Sequence, residues 1–145
     1  MNFNIKLLIL IQFFIINISA DELIIKISGQ KKAGILNLGI YNNAEAYDQS
    51  VNGEERSERG LFSGIDSYIE LKESHEFVIN LPEGAYAIAL FVDANENLKI
   101  DKNFLGIPKE QYGFSNNAMG TLSGPSFEQA KFQVKGSAIQ NIKLK

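Results

Sequence analysis

The stretch Asp93-Ala94-Asn95-Glu96-Asn97-Leu98-Lys99-Ile100-Asp101 sets carboxylate and amide oxygens at Asp93, Asn95, Asn97 and Asp101. They fall at relative positions 1, 3, 5 and 9. By that spacing a short loop wraps oxygen ligands around a hard cation. Calcium is the expected cofactor, because amides and carboxylates in a flexible loop suit its large, loose shell. Lys99, at position 7, would add its backbone carbonyl. The match is incomplete. A full helix–loop–helix calcium loop has Gly at position 6 and a bidentate Glu at position 12. Leu98 and Phe104 stand there instead. The missing ligands would come from another loop or from water. A plain polar turn is the competing reading, since Asp and Asn favour turns by bonding their own backbone.

Three residues further on complete the candidate set. Tyr112 and Phe114 flank Gly113 and could offer an aromatic platform to a sugar ring or a peptide. Alternatively they pack down onto the fold and order their loop. Glu110 either caps that loop or reaches the cation. Asp93, Asp101 and Glu110 are also near enough in sequence to suggest the paired carboxylates of a small hydrolase acting on a saccharide or peptide. The one histidine, His75, has no nucleophile and orienting acid placed for it, so it is not expected to be catalytic. With no cysteine in the chain, thiol catalysis, disulfide exchange and thiolate zinc sites are excluded.

The elements that position these residues read as strands. Leu23, Ile25 and Ile27 alternate with Glu22, Lys26 and Ser28, and Leu36, Leu38 and Ile40 with Ile35, Asn37, Gly39 and Tyr41. Ile69 with Leu71, the set Phe77, Ile79 and Leu81, and the set Ala130, Phe132 and Val134 repeat the pattern. Ile142 and Leu144 close the chain, with Ile139 out of phase and a bulge expected there. Period two marks half-buried strands. Ala85 to Val92 is apolar on both faces, with small alanines on one side, and predicts a central strand covered on both sides. The turn Leu81-Pro82-Glu83-Gly84 leads into it. About seven strands in one domain predict an all-β, immunoglobulin-like or transthyretin-like β-sandwich rather than a barrel. Two segments break the alternation. The charged stretch 42–60 reads as a mobile loop or a short helix near Ala44 to Tyr47. Residues 93–125 read as a long, ordered excursion.

Residues 1–20 read as a signal peptide: Lys6, an apolar run, and Ala20 before the acidic pair Asp21-Glu22. The apolar run is short for a membrane span, and an uncleaved anchor is the alternative. The expectation is a single exported domain over 21–145, in the periplasm or outside the cell, with no membrane span after cleavage. That segment holds 13 basic and 17 acidic side chains. Such a balance argues against nucleic acid, which needs Lys and Arg to neutralise phosphates.

Several runs together carry a resemblance. They are Leu81-Pro82-Glu83-Gly84-Ala85-Tyr86-Ala87, the Asp93-x-Asn95-x-Asn97 motif with Asp101, and Gly106-Ile107-Pro108-Lys109-Glu110-x-Tyr112-Gly113-Phe114-Ser115-Asn116-Asn117. Pro125-Ser126-Phe127 with Ala130 and Phe132 follows. In these the chain resembles the bacterial domain-of-unknown-function family 2141 over nearly all of the exported part. The resemblance implies an exported β-sandwich and leaves the activity unnamed. This chain departs from the family pattern in two places: Val92 stands where a His is usual, and Leu98 where Gly is frequent. The combined expectation is a non-enzymatic module that binds a small molecule, saccharide or protein, with a calcium-type loop. The alternatives are the periplasmic hydrolase and a purely structural envelope protein.

Overall fold

A computed structural model describes residues 20–53 and 60–145. The expected signal peptide therefore lies outside the described residues, apart from Ala20. In chain order the strands are β1 (Asp21–Ser28), β2 (Gly34–Tyr41), β3 (Leu61–Ile69), β4 (Ser74–Leu81), β5 (Gly84–Asp93), β6 (Gln111–Phe114), β7 (Phe132–Val134) and β8 (Ser137–Lys143). Helix α1 (Ala44–Asn52) follows β2, and a single turn, α2 (Phe127–Ala130), precedes β7.

The strands form two sheets, ordered β4-β1-β8 and β3-β2-β5-β6, with β7 paired to the start of β5. All pairings are antiparallel except β1 with β8. The alternation explains the layering. Leu23, Ile25 and Ile27 of β1 meet Leu36, Leu38 and Ile40 of β2 in one core, joined by Ile88, Leu90 and Val92 of β5. The described residues are mostly β, as two sheets sharing that core, with the two short helices beside it; the all-β expectation holds in that coarser form.

β5 is the central strand that its sequence announces. Its even-numbered residues enter the core between the sheets. Its other face carries Ala87 and Ala89 under α1 and α2, where Tyr41, Tyr47 and Phe127 pack. Small alanines leave room for those rings, and Tyr47 meets both Tyr41 and Phe127 edge-on. Asn43 starts α1 by accepting a hydrogen bond from the Ala46 N–H at 3.0 Å. The short helix expected near Ala44 to Tyr47 thus exists and runs on to Asn52.

Four expectations need correction. The described strands number eight, because the excursion after β5 contains β6. The third strand begins at Leu61 and stops at Ile69, leaving Leu71 exposed beyond its end. Ala130 ends α2 instead of opening β7. No bulge occurs at Ile139: β8 keeps an unbroken register with β1 from Glu22↔Ser137 to Ser28↔Lys143. Ile139 simply points outward, beside Ile24 and, across it, Val78. Cross-strand packing along that row explains an apolar residue out of phase.

Candidate functional site

Strand β5 delivers Asp93 to the rim of the sheet, where its side chain is 1% exposed. The chain then turns sharply. Asp93 accepts hydrogen bonds from the backbone N–H of Asn97 at 3.3 Å and of Leu98 at 2.7 Å. Asn95 Oδ1 accepts from the N–H of Asn97, and Asn97 Oδ1 from that of Lys99. The amide nitrogens of Asn95 and Asn97 donate to the Asp101 carboxylate at 2.7 and 3.2 Å. The four residues read from the sequence are therefore brought together on one tight turn, with the amide nitrogens of Asn95 and Asn97 meeting Asp101. The turn needs left-handed backbone at Glu96 (φ 58°) and Leu98 (φ 66°). The second is where a calcium loop places its glycine.

Glu110 closes the turn from outside. The backbone bonds Lys109 N–H to Asp101 O and Asn103 N–H to Ile107 O fold residues 101–109 back on themselves. Glu110 Oε1 then accepts from the Ala94 N–H, and Oε2 from the Asp101 N–H, each at 3.2 Å. Its carboxyl also lies within hydrogen-bonding reach of the Asp93 side chain. Burial pushes the Glu110 carboxyl above its ordinary range, and the charge of Asp93 adds to the rise; the two backbone N–H groups oppose it. Glu110 thus belongs with the oxygen cluster, not with the aromatic pair beside which it stands in sequence.

As to a metal, no group of three or more His, Cys, Asp and Glu among the described residues is arranged to hold one. A cation at this turn would depend on the amides. Asn95 and Asn97 use one lone pair of each Oδ1 in the turn, and a carbonyl oxygen has two.

Tyr112 and Phe114 lie elsewhere. They share the outer face of β6, tilted against each other with centroids 5.7 Å apart. Beneath the strand, Gly113 faces the core. The two rings line a cavity of about 550 Å³ over the five-stranded sheet, walled by segments 100–108 and 119–125. The register places Asn37, Phe91 and Tyr112 side by side across its floor. Asn37 Oδ1 is shut off from solvent and has no hydrogen-bond partner among the described residues. Sequence reasoning missed Asn37, because a polar residue between Leu36 and Leu38 reads as the wet side of a strand. Only the two covering segments make it a cavity residue. His75 makes structural contacts, bonding Gln30 at 2.7 Å and stacking on Phe77.

No helix among the described residues is long and apolar enough to cross a membrane. Neither a curated protein nor a solved structure matches this chain. One family model does, over residues 25–142, a span that contains the turn and the β6 segment just described. The chain therefore belongs to the family described as an uncharacterised protein conserved in bacteria, DUF2141.

Proposed function

We propose that this chain is an exported, non-enzymatic binding module of the immunoglobulin-like or transthyretin-like sandwich type, with a calcium-type loop at one end. The observation that carries the reading is the convergence of Asp93, Asn95, Asn97 and Asp101 on one turn, with Glu110 against it. Glu110 supplies from another segment the carboxylate that position 12 lacks. Lys99 contributes its carbonyl. A divalent cation would relieve the crowding of Asp93 and Glu110 and fix the start of the excursion that walls the cavity. With amides in place of acids, affinity falls in the weak extracellular class, about 10⁻⁴ to 10⁻³ M. Export follows from the leader-like residues 1–20 and suits a compartment where calcium is abundant.

Hydrolysis through Asp93, Asp101 and Glu110 has less support. Paired catalytic carboxylates stand about 5–9.5 Å apart around a substrate bond, whereas Asp93 is buried and in contact with Glu110.

The test is a thermal melt in excess calcium and in chelator, on the native chain and on Asp101→Ala. Binding only to the folded form raises the melting temperature with calcium. The native chain is expected to gain several degrees and the variant none. Identical melts of the native chain in both buffers would reduce the cluster to a turn.

A further inference from the structure

The cavity over the five-stranded sheet has an unusual floor. Along β2 the outward positions are Ile35, Asn37, Gly39 and Tyr41. Only Asn37 among them carries a side-chain amide, and its Oδ1 is buried without a partner among the described residues. Buried polar groups normally find a partner, and leaving one unmade is costly to the fold. The lining is mainly apolar, with Ser50, Asn52, Thr121 and Ser123 among its polar members. Phe91, Tyr112 and Phe114 share the floor, and Ile107, Met119 and Leu122 stand at the rim. Those three rim residues are themselves exposed, which is apolar surface that nothing among the described residues covers. Lys102, the charged residue of the lining, is engaged with the Gly53 carbonyl at 3.0 Å. The volume lies in the range of small-molecule sites, which combine apolar walls with a few placed polar groups.

We infer that this cavity binds a small, uncharged, largely apolar molecule whose single hydroxyl or amide pairs with Asn37. Rotation of the Asn37 amide about its last bond presents oxygen or nitrogen to the cavity, so a group that both donates and accepts is recognised either way. The inference deepens the binding-module reading and names its ligand class, and the contact with Asn37 itself involves no cation.

The experiment compares two probes of nearly equal shape, 2-naphthol and 2-methylnaphthalene, in chelator. Each is titrated into the native protein, Asn37→Leu and Asn37→Ala, followed by the backbone amide resonances of Phe91, Tyr112 and Phe114. The amide spectra also report whether each variant is folded. Both probes are expected to shift those resonances. The ratio of the naphthol Kd to the methylnaphthalene Kd is expected to rise about tenfold in both variants, the size of one lost hydrogen bond in a desolvated site. Absence of shifts at those residues in the native protein, or a ratio unchanged within twofold in a folded variant, overturns the inference. Calcium-dependent melts are read separately, so a failed loop and a failed ligand class give different results.

Discussion

The Glu110 carboxyl reaches the Asp93 carboxyl while it also accepts the N–H groups of Ala94 and Asp101. One side chain therefore ties the two ends of the oxygen-rich turn and adds a further carboxylate beside Asp93 and Asp101.

A pH dependence follows for the metal-free protein. Burial and Asp93 raise the folded-state pKa of Glu110 above its unfolded value. Between the two values the folded chain binds more protons than the unfolded chain, so stability falls as pH rises. The contribution is whole below the ordinary Glu value and lost as pH passes the raised one. In chelator, the melting temperature is expected to drop across that window, and Glu110→Gln to flatten the drop. A native profile that instead rises with pH through the window would show that the backbone donors outweigh burial.

Leu98 holds a left-handed backbone, at φ 66°, with its side chain 64% exposed. An L-residue there costs about 1–2 kcal/mol over glycine, partly offset by the larger entropy glycine loses on folding. Leu98→Gly is expected to stabilise the domain by about 0.5–1 kcal/mol in urea titration. It is also expected to tighten calcium binding, by pre-forming the turn. A destabilised variant would mean that the exposed leucine has an undetected packing role.

The Tyr47 hydroxyl is buried without a hydrogen-bond partner among the described residues. Burial, then the charge of Asp48, then Tyr41, push its pKa far above the ordinary tyrosine value. Tyr47→Phe keeps the edge-on contacts to Tyr41 and Phe127 and removes only the unsatisfied oxygen. The variant is expected to be at least as stable as the native chain, with a gain of about 1 kcal/mol. A loss of that size in chemical denaturation would contradict the missing partner.

What the sequence made legible divides along physical lines. β1, β2 and β4 could be read because each buries a face through alternation, and β5 because it is apolar on both faces and covered on both. The four residues of β6 could not, since Gly113 occupies the one core-facing position that would have carried an apolar signal. Helix α2 did leave a sign, the Ser126 and Gln129 pair of a capping box, which the alternation of Ala130, Phe132 and Val134 masked. The oxygens of the turn were legible from spacing alone. The pairing of Glu110 with Asp93 was not, because it depends on how residues 101–109 fold back. Asn37 became a cavity residue only through chain far from it in sequence.

Gly113 itself gives the last test, because it lets β6 lie close to the opposite sheet. A Cβ at this position would sit 2.6 Å from Ile142 Cγ2, with Leu90 Cδ1 at 3.6 Å and Leu144 Cδ2 at 3.7 Å. Ile142 is on β8 and fully buried, so it has little room to move. The strand is also pinned, because the Tyr112 and Lys145 backbones exchange both hydrogen bonds. Gly113→Ala should therefore overpack the junction and cost about 1–3 kcal/mol. Ile142→Ala alone leaves a cavity and costs about 2–5 kcal/mol. In the double variant the new methyl occupies space vacated by Cγ2, so the combined loss is expected to fall short of the sum by about 1 kcal/mol. Urea unfolding of the four proteins measures that coupling. Strict additivity would mean that β6 relaxes away from β8, and that the aromatic floor above Gly113 is free to shift as well.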